Sequence, residues 1–397
     1  MFIDIFVDKT VDFLMITTAK PIENQMFHVE HEPFGVYVHV PFCVSKCGYC
    51  DFCRVTELGL VGEYLKILEK EIEESGMKGM QPRTVYVGGG TPSCIGKENV
   101  SKLLGIVGKL FYLRNVEEFT VECNPDDVDR ELCEIMVENG VNRVSMGVQS
   151  MNEKMLKLMG RRHSVEQVGN AVVCLREAGV KNISLDFIYG LPVMENYDFE
   201  RDLERFLELD VEHCSAYSLS YEEGSRFTKM VEEGRLAAME DDEVAEQYET
   251  LTAKMREKGF EHYEISNYAR KGKRSRHNSS YWKKTPYCGF GPGASSYDGK
   301  VRTTNVMDVR QYIRSGGREK SLVEKLTTLD EYEEAVMLRL RTIEGVGVEE
   351  LPEEYREDFI EKARVEMKNG NLAEKEGRYF IPEKKWFVAD GIIERLV

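Results

Sequence analysis

The strongest constraint on the fold is a regular alternation of short apolar segments with longer amphipathic ones. Six segments have the length and the β-branched, apolar composition of strands: 35–40, 83–89, 117–123, 142–148, 181–190 and 213–220. Between them lie stretches with helical spacing of apolar residues, such as 63–75, 98–111 and 164–179. This alternation predicts an α/β fold, a parallel sheet covered by helices. Six units are too few for a closed eight-stranded barrel, so we expect an open, partial βα barrel with functional residues at the carboxyl ends of its strands.

Four cysteines crowd the segment that follows the first predicted strand. Cys43, Cys47 and Cys50 are spaced C-x3-C-x2-C, and Cys53 follows shortly after. Thiolates bind soft metals. Structural zinc usually takes two separated pairs of ligands, and there is no second pair here, although Cys53 could complete a four-thiolate set. The alternative is a [4Fe–4S] cluster held by three cysteines, which leaves one iron open to the donor atoms of a substrate.

Composition narrows the class of protein and its location. The 397 residues include 53 Lys and Arg against 70 Asp and Glu, a formal net charge of −17. An acidic surface repels phosphate backbones, so we expect no nucleic-acid binding. No apolar run reaches the roughly 18 residues that a membrane span needs, and the acidic residues within 1–25 do not fit a secretory signal or transit peptide. Ten cysteines without an export signal fit a reducing compartment, so we expect a cytoplasmic protein.

We predict four segments along the chain. Residues 1–32 are an N-terminal extension, 33–225 the partial barrel, 226–325 a further extension with a basic loop, and 326–397 a smaller C-terminal α+β domain. The last domain has the helix, helix, hairpin, helix order of a winged helix. Winged helices often read DNA, but residues 353–397 hold 9 Lys and Arg against 11 Asp and Glu, whereas a DNA reader needs a basic face. We therefore expect this domain to have a packing or partner role.

The cysteine spacing and its place after a strand resemble those of the radical S-adenosylmethionine (radical SAM) superfamily. In that superfamily three cysteines hold a [4Fe–4S] cluster, and the amine and carboxylate of SAM bind the open iron. The resemblance, from about residue 35 to about residue 346, implies that Cys43, Cys47 and Cys50 are the cluster ligands and that Cys53 is an extra thiol. It further implies a set of residues that contact SAM: Tyr37, Tyr49, Gly88, Gly89, Gly90, Thr91, Glu122, Gln149, Arg161 and Asp186. Asp186 is informative without the resemblance, because an acid amid apolar neighbours is costly to bury unless something pairs with it.

Two features separate two related branches of the superfamily, the oxygen-independent coproporphyrinogen III oxidases and the HemW-type haem chaperones. The oxidases carry a fourth cysteine at the position that Phe52 occupies here. The chaperones carry H-N-x-x-Y-W, a motif associated with haem binding, and this chain reads HNSSYW over 277–282. The resemblance to the chaperones implies that His277 binds haem, since imidazole is a common ligand of haem iron. The basic run before it, 270–276, offers cations for the haem propionates.

We therefore expect a radical SAM-type protein that binds haem and delivers it to haemoproteins, with a [4Fe–4S] cluster, SAM and haem as cofactors. The alternative is an enzyme, an oxygen-independent oxidase that uses SAM to decarboxylate coproporphyrinogen III to protoporphyrinogen IX. A third hypothesis is a zinc-stabilised regulatory protein. The expected partners are haem or a porphyrinogen, acceptor haemoproteins and an electron donor such as a flavodoxin or ferredoxin. We expect a monomer or a haem-linked dimer.

Overall fold

The computed structural model describes residues 33–50 and 53–397. The predicted N-terminal extension, 1–32, lies outside the described residues, as does Phe52. Within the described ranges, no helix combines the length and the apolar character that crossing a membrane requires.

The centre of the fold is a set of six parallel strands that lie side by side in chain order. The strands are β1 (Gly35–Val40), β2 (Thr84–Gly89), β3 (Glu118–Cys123), β4 (Arg143–Gln149), β5 (Ile183–Tyr189) and β6 (His213–Ser218). The helices between them are α1 (Val61–Glu74), α2 (Lys97–Leu110), α3 (Arg130–Glu138), α4 (Glu153–Met159), α5 (Val165–Glu177) and α6 (Phe199–Leu207). The predicted open βα barrel of six units is confirmed.

Later segments extend this sheet at both edges. The added strands are β7 (Glu261–Glu264), β8 (Asn267–Ala269), β9 (Tyr287–Phe290), β10 (Ser295–Tyr297), β11 (Val301–Asn305) and β12 (Lys320–Lys325). The helices of the same region are α7 (Arg226–Glu232), α8 (Asp241–Glu257), α9 (Arg276–Trp282) and α10 (Val309–Ser315). β9 pairs parallel with β1 and is followed outward by β10, β11 and β12, while β8 and β7 lie beyond β6. The region predicted as an extension thus covers the open edges of the barrel, whose backbone groups would otherwise lack partners.

The last part of the chain forms a small α+β unit with the winged-helix-like order that the sequence predicts. Its elements are α11 (Thr328–Leu340), β13 (Val346–Gly347), α12 (Arg356–Lys368), β14 (Ala373–Lys375), β15 (Arg378–Phe380) and α13 (Ala389–Ile393). The three short strands pair antiparallel, with β15 in the middle.

Side chains alternate along β1–β6 so that the sheet has two different faces. Toward the helices, β1 presents Val36, Val38 and Val40, which are buried in the main hydrophobic core. The opposite face is largely polar, and side chains from all six strands line one small cavity: Tyr37, Tyr86, Glu122, Arg143, Ser145, Asp186, Ser215 and Tyr217. A cavity shared by six strands requires the sheet to curve around it. We call this polar space the lumen.

Side-chain caps determine where the two helices after β4 begin. Asn152 accepts hydrogen bonds from the N–H groups of Lys154 and Met155 and caps α4. Ser164 and Gln167 form a capping box at the start of α5, because each side chain accepts a hydrogen bond from the other's backbone N–H. These caps fix the short segment between α4 and α5, which carries one of the predicted SAM contacts.

Candidate functional site

The cysteine loop after β1 is held in place by backbone hydrogen bonds. The N–H of Cys43 donates to the carbonyl of Val55 (3.0 Å), and the N–H of Gly48 donates to the carbonyl of Met159 (2.8 Å). The carbonyl of Gly48 accepts from the N–H of Phe227 (2.8 Å). The loop is therefore attached to the end of α4 and to the start of α7, two elements from distant parts of the chain.

The three predicted cluster ligands are free thiols on this loop. Cys43 is buried, and Cys47 and Cys50 are half-buried. Among the described residues, no group of three or more His, Cys, Asp and Glu side chains is arranged to hold a single metal ion. Mononuclear zinc needs its thiolates to converge at about 2.3 Å from one centre, whereas a [4Fe–4S] cluster distributes them over separate irons. Three thiolates on one loop are the donor set that a [4Fe–4S] cluster with one open iron uses.

The glycine-rich turn after β2 lies directly beside the cysteine loop. The hydroxyl oxygen of Thr91 lies 3.5 Å from the sulfur of Cys43. A Cβ on Gly90 would lie 2.5 Å from the carbonyl oxygen of Phe42, so only glycine allows the two segments to approach this closely. The predicted contacts Gly90 and Thr91 therefore adjoin a predicted cluster ligand.

Glu122, near the end of β3, presents its carboxylate to the same region. It accepts a hydrogen bond from the hydroxyl of Tyr86 (2.6 Å) and another from the N–H of Gly89 (3.0 Å). A Cβ on Gly88 would lie 2.8 Å from the carboxyl carbon of Glu122, so a larger residue here would displace the Glu122 side chain. Because a carboxylate can accept about four hydrogen bonds, Glu122 keeps capacity for a ligand's amine.

Arg161 follows α4 and joins β4 to the cysteine loop. One terminal nitrogen donates to the carbonyl of Gly147 (2.6 Å) and also contacts the side chain of Asn124, while the other donates to the sulfur of Cys47 (3.5 Å). Its Nε is buried and has no acceptor in the described part of the chain. A buried N–H without an acceptor is unfavourable, so Arg161 can still donate to an anionic ligand at this end of the strands.

The other predicted SAM contacts lie in three places. Gln149 ends β4 at a bulge with a φ of 72°, a strained conformation that often occurs at functional sites. Tyr37 and Asp186 line the lumen, where burial and, next in effect, the facing Glu122 raise the pKa of Asp186 to about 7. Tyr49 lies on the cysteine loop and packs against Phe227 of α7, with 6.4 Å between the two ring centroids.

His277 enters the lumen at the amino ends of the strands, on the side opposite the cysteine loop. A Cβ on Gly35, the first residue of β1, would lie 3.3 Å from the imidazole ring of His277. One ring nitrogen lies 2.8 Å from the hydroxyl of Thr84, the first residue of β2, and the other lies 2.8 Å from the hydroxyl of Tyr281. Burial, with Arg143 as the second cause, lowers the pKa of His277 to about 3. The predicted haem ligand is thus neutral, buried and hydrogen-bonded through both ring nitrogens.

The start of α9 is anchored to the first residue of β3. The buried carboxylate of Glu118 accepts hydrogen bonds from the N–H groups of Arg276 (2.8 Å) and His277 (3.0 Å) and from the hydroxyl of Ser275 (3.3 Å). A carboxylate is favourable at a helix N-terminus, where the backbone N–H groups point outward. Glu118 therefore holds α9 against the amino end of the lumen.

No sequence motif marks the residues that build this amino end: Thr84, Tyr86, Glu118, Arg143 and His213. The signal that could have found them is the alternation of polar and apolar residues inside the strands, as in T-V-Y-V-G of β2 and E-F-T-V-E of β3. A parallel strand that packs against apolar layers on both faces would be apolar throughout. Alternation in parallel strands therefore indicates a polar interior.

The chain matches known proteins over most of its length. Residues 37–206 match the Radical SAM superfamily. The chain is 36% identical to heme chaperone HemW of Lactococcus lactis subsp. lactis, over 83% of this chain and 86% of that protein. It is 38% identical to heme chaperone HemW of Bacillus subtilis, over 81% of this chain and 86% of that protein. The chain belongs to the HemW family of radical SAM proteins.

A solved structure shares the fold of this HemW family member. Coproporphyrinogen III oxidase (HemN) from Escherichia coli superposes with a TM-score of 0.80 over 92% of this chain and 90% of that chain, at 21% sequence identity. At this identity the likeness shows a common fold and does not distinguish the two branches. Membership of the radical SAM superfamily implies a [4Fe–4S] cluster and SAM, which the donors around Cys43, Glu122 and Arg161 fit.

Proposed function

We propose that this protein is a haem chaperone that binds haem at α9 and delivers it to acceptor haemoproteins. The observation that carries the proposal is the intact HNSSYW motif over 277–282, in a chain whose HemW relatives are named heme chaperones. The whole motif lies on α9, at the end of the lumen opposite the cysteine loop. Haem and SAM would therefore bind at separate ends of one sheet.

Haem binding through His277 requires a different position of its ring. Iron coordinates a lone pair of the neutral imidazole, and the low pKa of His277 keeps the ring in that form. Both ring nitrogens, however, face hydroxyl groups, those of Thr84 and Tyr281. We propose that α9 moves away from the amino end of the lumen when haem binds, so that one nitrogen becomes accessible.

At the carboxyl end, Cys43, Cys47 and Cys50 would hold the cluster, and SAM would lie between the cysteine loop and the strand ends. Bound together, these groups supply the superfamily's one-electron cleavage of the SAM sulfonium. Glu122 would accept hydrogen bonds from the SAM amine, and the buried Nε of Arg161 would donate to an anionic oxygen. The glycine turn allows these groups to approach closely.

We propose a flavodoxin or ferredoxin as the electron donor, because cleavage of SAM needs a low-potential electron. We also propose a cytoplasmic location, which the ten cysteines in the sequence support. The protein would act as a monomer or as a dimer linked by haem.

Haem titration of the anaerobically purified protein tests the proposal. The wild type should develop a saturable Soret band and transfer its haem to an apo-haemoprotein. His277→Ala should lose most of this band, whereas His262→Gln, which removes a buried imidazole on β7, should keep it. Turnover of coproporphyrinogen III with SAM and a reductant, in the absence of haem transfer, would contradict the chaperone function and favour the oxidase.

A further inference from the structure

Arg143, the first residue of β4, places a buried guanidinium inside the lumen. It is 1% exposed, and its Nη2 donates to a ring nitrogen of His213 (3.3 Å). Its Nε and Nη1 have no acceptor among the described residues. Arginine keeps its charge in proteins, and a buried charge without an anionic or hydrogen-bonding partner is costly. The fold therefore holds a cation whose hydrogen-bonding capacity is only partly used.

The carboxylates of the lumen form no hydrogen bond with Arg143. Glu122 accepts hydrogen bonds from Tyr86 and Gly89 at the carboxyl end. Asp186 is hydrogen-bonded to the side chain of Ser215. Neither of them takes up the two open nitrogens of Arg143, which remain available to an anion that enters the lumen.

The cavity beside Arg143 is also lined by the haem motif. His277, Asn278 and Tyr281, all on α9, contribute to its wall. The cavity measures about 20 Å³, enough for about one water molecule, so no larger group fits while α9 is in place. Displacement of α9, which haem binding requires, would remove this part of the wall and open the lumen toward Arg143.

The basic run before the motif is less suited to bind propionates than its sequence indicates. Four of its five cations already have protein acceptors: Arg270 (Asp210), Lys273 (the carbonyl of Lys181), Arg274 (Glu261 and Glu344) and Arg276 (Glu117). Each of these pairs would have to break before the cation could bind another anion. The open N–H groups of Arg143 can bind an anion without first breaking a pair of this kind.

We propose that Arg143 binds a carboxylate arm of the tetrapyrrole, a propionate, inside the lumen when His277 coordinates the iron. This inference rests on the proposed haem-binding function and adds a second point of attachment, from the barrel itself. A charge-assisted hydrogen bond from a buried guanidinium to a carboxylate is among the stronger polar contacts in proteins. It makes the site selective for tetrapyrroles with free acid side chains.

Soret titrations with haem and with haem dimethyl ester, whose propionates carry no charge, test the inference. The wild type should bind haem about tenfold or more tightly than the ester. Arg143→Met should lower the affinity for haem by about the same factor and leave the affinity for the ester unchanged. Methionine fills a similar volume, and loss of an incompletely paired buried charge is compatible with folding. Arg205→Met, which removes a guanidinium bound to the carbonyl of Met151, should change neither affinity.

The outcomes separate this inference from the proposed function. An unchanged Soret maximum in Arg143→Met, with loss of the preference for haem over its ester, supports the inference. Haem binding by Arg143→Met with the full wild-type preference overturns the inference and leaves the chaperone function standing. An equal loss of haem and ester binding also overturns it, because the residue would then support the site only structurally. Absence of haem binding in the wild type overturns both.

Discussion

The two ends of the lumen are built from the same six strands in different ways. At the carboxyl end, several predicted contacts lie at the ends of strands or in the segments that follow them, such as Gln149 at the end of β4 and Cys43 after β1. At the amino end, Thr84 and Glu118 are themselves first residues of strands, and they bind a helix that comes much later in the chain. Loops after strands can carry function without altering the sheet. The carboxyl end is thus recognisable from local motifs, whereas the amino end exists only through tertiary contacts.

The largest effect that separates the two ends should come from the cysteine loop. Cys43→Ala should reduce iron and acid-labile sulfide from about four per chain to near zero, because three thiolates are the minimum for an open [4Fe–4S] cluster. Haem binding at α9 should persist. The matched control is Cys53→Ala, since the thiol of Cys53 donates to the carbonyl of Met307 (2.9 Å) and should be dispensable for iron. If Cys43→Ala also lost haem binding, the two ends would not be separate sites.

The next largest effect should come from Glu118, the carboxylate that anchors α9. Glu118→Ala should leave two backbone N–H groups and one hydroxyl without their acceptor, which should lower the free energy of opening α9 by about 3 kcal/mol. Hydrogen exchange of the amides over 276–282 should then accelerate by roughly 100-fold, without a change in iron content. Glu117→Ala is the control, because that neighbouring carboxylate pairs with Arg83 and Arg276 at the surface. Equal acceleration in both variants would show that Glu118 is not the anchor.

The buried imidazole should make the amino end sensitive to acid. The pKa of His277 is about 3 in the folded protein against an ordinary value of 6.5, so the unfolded chain binds the extra proton between these values. The stabilising contribution of neutral His277 is therefore complete above pH 6.5 and is lost as the pH falls. Relative to His277→Phe, the wild type should lose about 2 kcal/mol of unfolding free energy between pH 7 and pH 5 in urea denaturation. The other buried histidines are present in both proteins, so a parallel pH dependence would disprove the assignment.

The smallest effect should come from the hydroxyl at the start of β2. Thr84→Val removes the hydrogen bond to His277, which should favour release of α9 by about 1 kcal/mol and raise haem affinity about fivefold. The matched variant at the carboxyl end is Thr91→Val, which removes the hydroxyl beside Cys43 and should leave haem affinity unchanged. A similar gain in both variants would mean that the two ends are coupled.

Much of the central fold is predictable from the sequence. Each of the six strands forms where an apolar, β-branched run stands between helical stretches, and β1 spans the predicted 35–40. The parallel pairing of β9 with β1 is not predictable in the same way. β9 has four residues, Tyr287–Phe290, one of them glycine, and such a short run carries a weak strand signal.

The sequence by itself determines the chemistry that is available: three cysteines spaced after β1, glycines at the end of β2 and the haem motif HNSSYW. Only the tertiary structure decides what surrounds these groups. His277 follows a basic run in the sequence, yet it lies against Thr84, 193 positions earlier in the chain, with both ring nitrogens engaged. Arg143 is inconspicuous in the sequence and becomes a buried, partly unpaired cation in the lumen. Burial and hydrogen-bond partners depend on which strands become neighbours, and that is a property of the folded sheet.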